Sequence, residues 1–112
     1  MSDPFDLVLA RNAVRSGRVQ WRVHALERLA QRQLSTDQIK NVILSGEVIE
    51  DYPATTPYPS ALLYGVVAGR PVHVVVGLDA QGAGTVYVIT TYEPDERHFE
   101  ADLKTRKRRP HE

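Results

Sequence analysis

Up to Ser45 the apolar residues of this chain recur three and four positions apart; from Glu47 to Tyr92 they alternate or run together. The first spacing lines one side of a helix, and the second suits strands. "SDPFDLVLARNAVRSG" predicts a first helix, with Ser2 or Asp3 as cap, Pro4 at its first position, Phe5, Val8, Leu9 and Ala13 near one face, and Gly17 as stop. "RVQWRV" is short and extended. "HALERLAQRQ" predicts a second helix with Leu26, Leu29 and Ala30 as its apolar stripe. "STDQIKNVILSG" predicts a third, opened by Ser35 with Gln38 three residues on as a capping box, facing inward through Ile39, Val42 and Ile43, and closed by Gly46.

"EVIEDY" then alternates as a strand and stops at Pro53, before the proline-rich loop "ATTPYPS". "ALLYGVVAGRPVHVVVGL" predicts two strands joined at "AGRP", and "TVYVITTY" another after the turn "DAQGAG". The last two strands are apolar at nearly every position, which predicts burial on both faces. "EPDERHFEADLKTRKRR" predicts a C-terminal helix, acidic early and basic late as the helix dipole prefers. The basic tail, residues 107–112, is expected to fray. The fold class is α+β: N-terminal helices on one face of a four-stranded, mainly antiparallel sheet, with a C-terminal helix, in one domain over residues 1–112.

Composition removes several function classes. There is no cysteine, hence no disulfide, thiolate nucleophile or zinc–cysteine site. The N-terminus reads as neither signal peptide nor anchor, no window nears 18 consecutive apolar residues, and the cytoplasm is the simplest address. The 14 basic and 14 acidic residues cancel, which argues against a broad polyanion-binding surface. Their distribution is uneven. Residues 1–40 hold seven Lys/Arg against four Asp/Glu, residues 41–103 two against nine, and the tail from Lys104 five against one. Basic ends flank an acidic middle, leaving room for a local anion-binding patch.

The histidines stand at 24, 73, 98 and 111, without metal-ligand spacing, so neither metal nor cofactor is expected. No phosphate loop or nucleophile elbow is present. The candidate constellation is His24, Arg28, Arg32, His73 and Tyr92. The first three are four apart and share a helix face. His73 interrupts "VHVVV" and points away from the face of Val72, Val74 and Val76, and Tyr92 ends the last strand. Metal-free cleavage of RNA needs a base for the 2′-OH, a cation for the phosphate and an acid for the leaving oxygen. These residues supply all three. Each also has a plain structural role open to it: His24 against Trp21 or its own helix end, Arg28 paired with Glu47, Glu50 or Asp51, Arg32 in solvent, His73 bonded in the core, Tyr92 finishing the sheet.

The ordered motifs "HALERLAQR", "LSTDQI", "GEVIEDYP", "PSALLYG", "RPVHVVV" and "TTYEPD" resemble those of the small bacterial domain of unknown function 4258, over about residues 14–106, with Leu29 where that family usually shows Met. The resemblance implies a RelE-like toxin fold, helices packed on a curved antiparallel sheet, and an antitoxin-like partner. The family's shared polar positions match His24, Arg28, Arg32, His73 and Tyr92. The function implied is that of the toxin of a toxin–antitoxin pair: a metal-independent endoribonuclease acting on RNA, on or off the ribosome. His24 would be general base or acid, Arg28 the phosphate clamp, His73 the complementary proton carrier and Tyr92 a positioning hydroxyl, with Arg32 and Arg106 widening the anion site. Ribosome-directed toxins of that fold are basic, whereas this chain is neutral. The alternatives are a non-catalytic domain of the same fold that binds a protein or nucleic-acid partner, and a small-molecule anion binder. No membrane contact is expected.

Overall fold

The computed structural model describes residues 4–107. Helix α1 (Leu7–Arg15) is followed by β1 (Val19–Trp21), α2 (Val23–Arg32), α3 (Thr36–Ser45), β2 (Glu47–Tyr52), β3 (Ser60–Val67), β4 (Arg70–Asp79) and β5 (Thr85–Tyr92). The strands form one sheet in the order β1-β5-β4-β3-β2, antiparallel except for the parallel pair β1–β5. The class is α+β as expected, but the sheet has five strands rather than four. The three residues of β1 are too few to show a period, and their partner lies far along the chain, with Val19 opposite Val86 and Trp21 opposite Val88.

The helices pack on one sheet face. Ala10, Ala13 and Val14 of α1, Ala25 and Leu29 of α2, and Ile39, Val42 and Ile43 of α3 join Val72, Val74, Val76, Val86 and Val88 in the core. Helix α3 follows its sequence closely: Ser35 and Gln38 close the capping box, and Gly46 ends the helix. Helix α1 starts later than expected. Asp6 caps it by accepting the Leu9 N–H at 3.0 Å, and the Phe5 N–H is anchored to Asp51. The expected caps Ser2 and Asp3 lie outside the described residues. The buried face is also rotated, so Val8 is 72% exposed. Arg11 fixes that rotation by reaching the carbonyls of Ile43 and Gly46 at 3.0 and 2.8 Å, which α3 leaves unpaired at its end. In α2 the buried pair is Ala25 and Leu29; Leu26 and Ala30 face outward.

The β3–β4 turn falls on Ala68–Gly69, both at positive φ (50° and 80°), the backbone a two-residue hairpin requires. Strand β4 is covered on both faces as expected. Strand β5 is not: Val86 and Val88 are buried, whereas Tyr87 and Ile89 on the outer face stay partly open.

Among the described residues no C-terminal helix forms. Residues 95–107 make turns and a short bridge between Phe99 and Arg106. Side chains there take the backbone N–H groups a helix would need. Asp95 accepts from Arg97 and His98, Asp102 accepts from Lys104 and Thr105, and Leu103 turns to φ 61°. Of the predicted basic tail, Lys107 is tied by its N–H to the His98 carbonyl at 2.8 Å; the rest lies outside the described residues.

Gly46 is a close-approach point. A Cβ there would stand 2.4 Å from the Val42 carbonyl oxygen and 2.6 Å from that of Tyr64. Gly46→Ala is expected to lower stability by about 3 kcal/mol, and Ser35→Ala by about 1 kcal/mol through loss of the cap. Urea denaturation followed by circular dichroism checks both; a Gly46→Ala midpoint equal to wild type would contradict this packing.

Candidate functional site

The chemistry-bearing residues separate into two groups on opposite sides of the sheet. On the outer face, away from the helices, His73 of β4 is completely buried. Its ring lies between Tyr64 of β3 and Tyr92 of β5, the neighbours its register dictates, and the edge-on ring of Phe99 covers it at 4.5 Å. Nε2 lies 2.7 Å from the Leu103 carbonyl oxygen, which can only accept, so Nε2 carries the proton and donates it. In the neutral ring Nδ1 then accepts from the Tyr92 hydroxyl at 3.2 Å. Burial pushes the imidazole below its ordinary value of 6.5, outweighing the Leu103 carbonyl, which favours the proton. Burial likewise raises the Tyr92 phenol. Both groups are therefore neutral near pH 7.

The cover over His73 is the segment that was expected to be a helix. Two ion pairs clasp it to β2: Lys104 to Glu47 at 3.0 Å, and Arg106 to both carboxylate oxygens of Glu50 at 3.0 Å each. The same cations lie over aromatic rings, Lys104 over Tyr64 at 5.1 Å and Arg106 over Phe99 at 4.8 Å. Burial would raise the Glu50 carboxyl, but hydrogen bonds from Arg106 and Tyr52 outweigh it and hold the group below its ordinary value. The Arg106 guanidinium is raised in return by its bond to Glu50. A small cleft of about 200 Å³ remains at the rim of the cover, lined by Tyr92, Glu93, His98, Phe99 and Arg106.

The second group lies on α2. His24 and Arg28 are exposed; the His24 side chain is 87% accessible and its nearest acidic partner is Glu27 at 3.8 Å. Arg28 meets none of Glu47, Glu50 and Asp51, which are engaged by Lys104, Arg106 and the Phe5 N–H. Arg32 is part of a clip at the end of the sheet: it lies 4.0 Å from Glu93, and Arg70 bonds both Glu93 and the Arg32 carbonyl. Of the six candidates, the structure brings together His73, Tyr92 and Arg106, with Glu50 between Arg106 and Tyr52. His24 and Arg28 stand apart from them on the helical side. Glu50, Lys104, Phe99 and Leu103 were not singled out from sequence as parts of this cluster. The signal for two of them was the acidic middle set against the basic end.

Fold and site together define a small α+β domain in which a buried histidine–tyrosine pair is roofed by the chain's own C-terminal segment. The chain belongs to the family described as Domain of unknown function (DUF4258), which matches residues 21–93, more than half its length. That match runs from the last residue of β1 past the end of β5, and leaves α1 and the roof outside it. No curated protein and no solved structure matches the chain. Among the described residues no helix is long and apolar enough to cross a membrane.

Because His73 is held neutral when folded, its stabilising contribution is fully present above about pH 6.5. It is lost as the pH falls below that value, where the unfolded chain takes up the proton first. The urea midpoint is expected to drop between about pH 7.5 and about pH 5.5, and to drop less in His73→Gln. Equal slopes in the two proteins would show that the ring is not buried neutral. Arg106→Met is expected to cost about 1 kcal/mol or less, yet to speed hydrogen exchange of the backbone from Phe99 to Lys107. Unchanged exchange there would remove the clasp.

Proposed function

We propose that this protein is an RNA-binding domain of RelE-like build, acting in the cytoplasm, that does not cleave RNA as folded. Charge segregation carries the reading. On the outer face Lys104 and Arg106 are each committed to a carboxylate. At the β1–α2 flank, Arg22 and Arg28 are exposed and have no carboxylate partner among the described residues. Free guanidinium groups are what a phosphate backbone requires. The helices gathered on one face of a mainly antiparallel sheet agree with the build that the family resemblance implies. Full burial of His73, with both ring nitrogens engaged, supports the absence of cleavage, because no 2′-OH can reach it.

The Tyr92 hydroxyl favours a second reading, the metal-independent endoribonuclease of a toxin–antitoxin pair. That hydroxyl bonds His73 and also lines the cleft beside Arg106. If the segment from Asp95 to Leu103 lifted off the ring while Arg106 kept its hold on Glu50, His73 would become the base, Tyr92 the acid and Arg106 the phosphate clamp. A protein antitoxin would then cover this face.

Binding of fluorescein-labelled RNA, measured by anisotropy across salt concentrations, tests the first reading. Arg22→Gln and Arg28→Gln are each expected to weaken binding and to reduce the log–log salt slope by about 1. Growth and total RNA after induced expression decide between the two. Unimpaired growth with intact RNA is expected. Arrest with RNA cleavage that disappears in Tyr92→Phe would establish the nuclease instead.

A further inference from the structure

Among the described residues the outer sheet face is roofed at one end only. Around His73 the C-terminal segment lays Lys104 and Arg106 over Tyr64 and Phe99. Toward the other end of β4 and β5 the same kinds of group are present with no chain segment described over them. Tyr87 points outward because Val86 and Val88 on either side of it point into the core. Tyr58, from the loop before β3, lies against it with ring planes 6° apart and centroids 5.0 Å apart. Gly77, opposite Tyr87 in the ladder, presents no side chain, and the Tyr58 Cβ passes above it. The Arg22 guanidinium stands 5.4 Å from the centre of the Tyr87 ring.

These groups are held in place by backbone. The Arg22 N–H donates to the Val88 carbonyl at 3.1 Å, and the Pro59 carbonyl beside Tyr58 accepts from Leu78 at 2.9 Å. Tyr58 and Tyr87 are both partly exposed, and Ile89 beyond them is 36% exposed. The Tyr58 phenol is raised above its ordinary value, first by the neighbouring Tyr87 hydroxyl and further by Asp79, whose Oδ1 accepts the Gln81 N–H at 3.0 Å. Arg22 itself has no carboxylate partner among the described residues.

We propose that Tyr58, Tyr87 and Arg22 form a docking platform for single-stranded RNA, with an unpaired base stacked on the tyrosines and its phosphate on Arg22. This rests on the RNA-binding reading and names its site. A flat aromatic pair offers a π-face that any unpaired base can meet and a paired base cannot. The uncompensated guanidinium beside the ring supplies the opposite charge for the phosphate. The roofed end of the same face shows the arrangement satisfied from within, by aromatic ring and cation. The open end leaves it for a ligand.

Anisotropy titrations with a fluorescein-labelled oligouridylate and with a duplex RNA of equal length test the platform. The single strand is expected to bind more tightly than the duplex. Tyr87→Leu and Tyr58→Leu should each weaken single-strand binding about tenfold, whereas Tyr87→Phe, which keeps the ring, should bind as wild type does. Equal binding by a folded Tyr87→Leu overturns the platform, and so does loss of binding in a folded Tyr87→Phe. Should the Leu variants fail to fold, an NMR titration of the wild type decides. Shifts at Arg22, Tyr58, Tyr87 and Gln20, which pairs with Tyr87 in the β1–β5 ladder, support the site; shifts confined to Arg28 and its helix place the RNA elsewhere and leave the broader reading standing. If the wild type binds neither RNA, both fall together. Binding of a polyglutamate peptide at these residues in place of RNA assigns the surface to a protein.

Discussion

His73 sets the terms for the outer half of this molecule. A histidine in the middle of a central strand cannot be left unbonded under an apolar cover without a penalty of a few kcal/mol. Both of its nitrogens must find partners at fixed distances. Tyr92 comes from the neighbouring strand through the ladder, at no further conformational expense. The Leu103 carbonyl comes from a segment that would otherwise be free to form a helix. Recruiting a backbone carbonyl requires that segment to be irregular, since a helix would direct its carbonyls along its own axis. The turns built on Asp95 and Asp102, the left-handed Leu103 and the ion pairs to β2 all follow from placing that one acceptor over the ring.

This explains which parts of the architecture could be read from residue order. Helix α3, strands β2 to β5 and both hairpin turns are specified by signals local to each: a capping box, an alternation, a glycine at positive φ. Strand β1 and the roof have no such signal, because what defines them is a partner far along the chain. The acidic-then-basic run from Glu93 onward reads as a helix by composition, but its charges are used across the fold on Glu47 and Glu50 instead. His73 and Tyr92 were found together because both lie on strands whose outward direction the alternation gives. His24 and Arg28 share the expected helix face and lie on the other side of the sheet, a relation that periodicity within one helix cannot carry.

The uneven charge along the chain acquires a physical meaning in three dimensions. The acidic middle is met by the basic segment that follows it, so one pole of the electrostatic pattern is consumed internally. The basic N-terminal part finds less compensation and stays available at the β1–α2 flank. Net neutrality is thus the sum of a closed half and an open half. A field of one sign at one flank is compatible with a total of zero.

The parallel pairing of β1 with β5 has a consequence for the order in which the chain assembles. On the ribosome, β1 and both helices after it emerge long before the strand that completes them. Until β5 arrives, the core-facing side of α2 has only part of its packing surface, and the edge groups of β1 have nothing to bond. The nascent chain must therefore hold its first third in a provisional state and commit late, on the contacts most distant in sequence. The roof, which follows β5, closes after that. A histidine roofed by a segment that follows the sheet is sealed only after the strands on either side of it have paired.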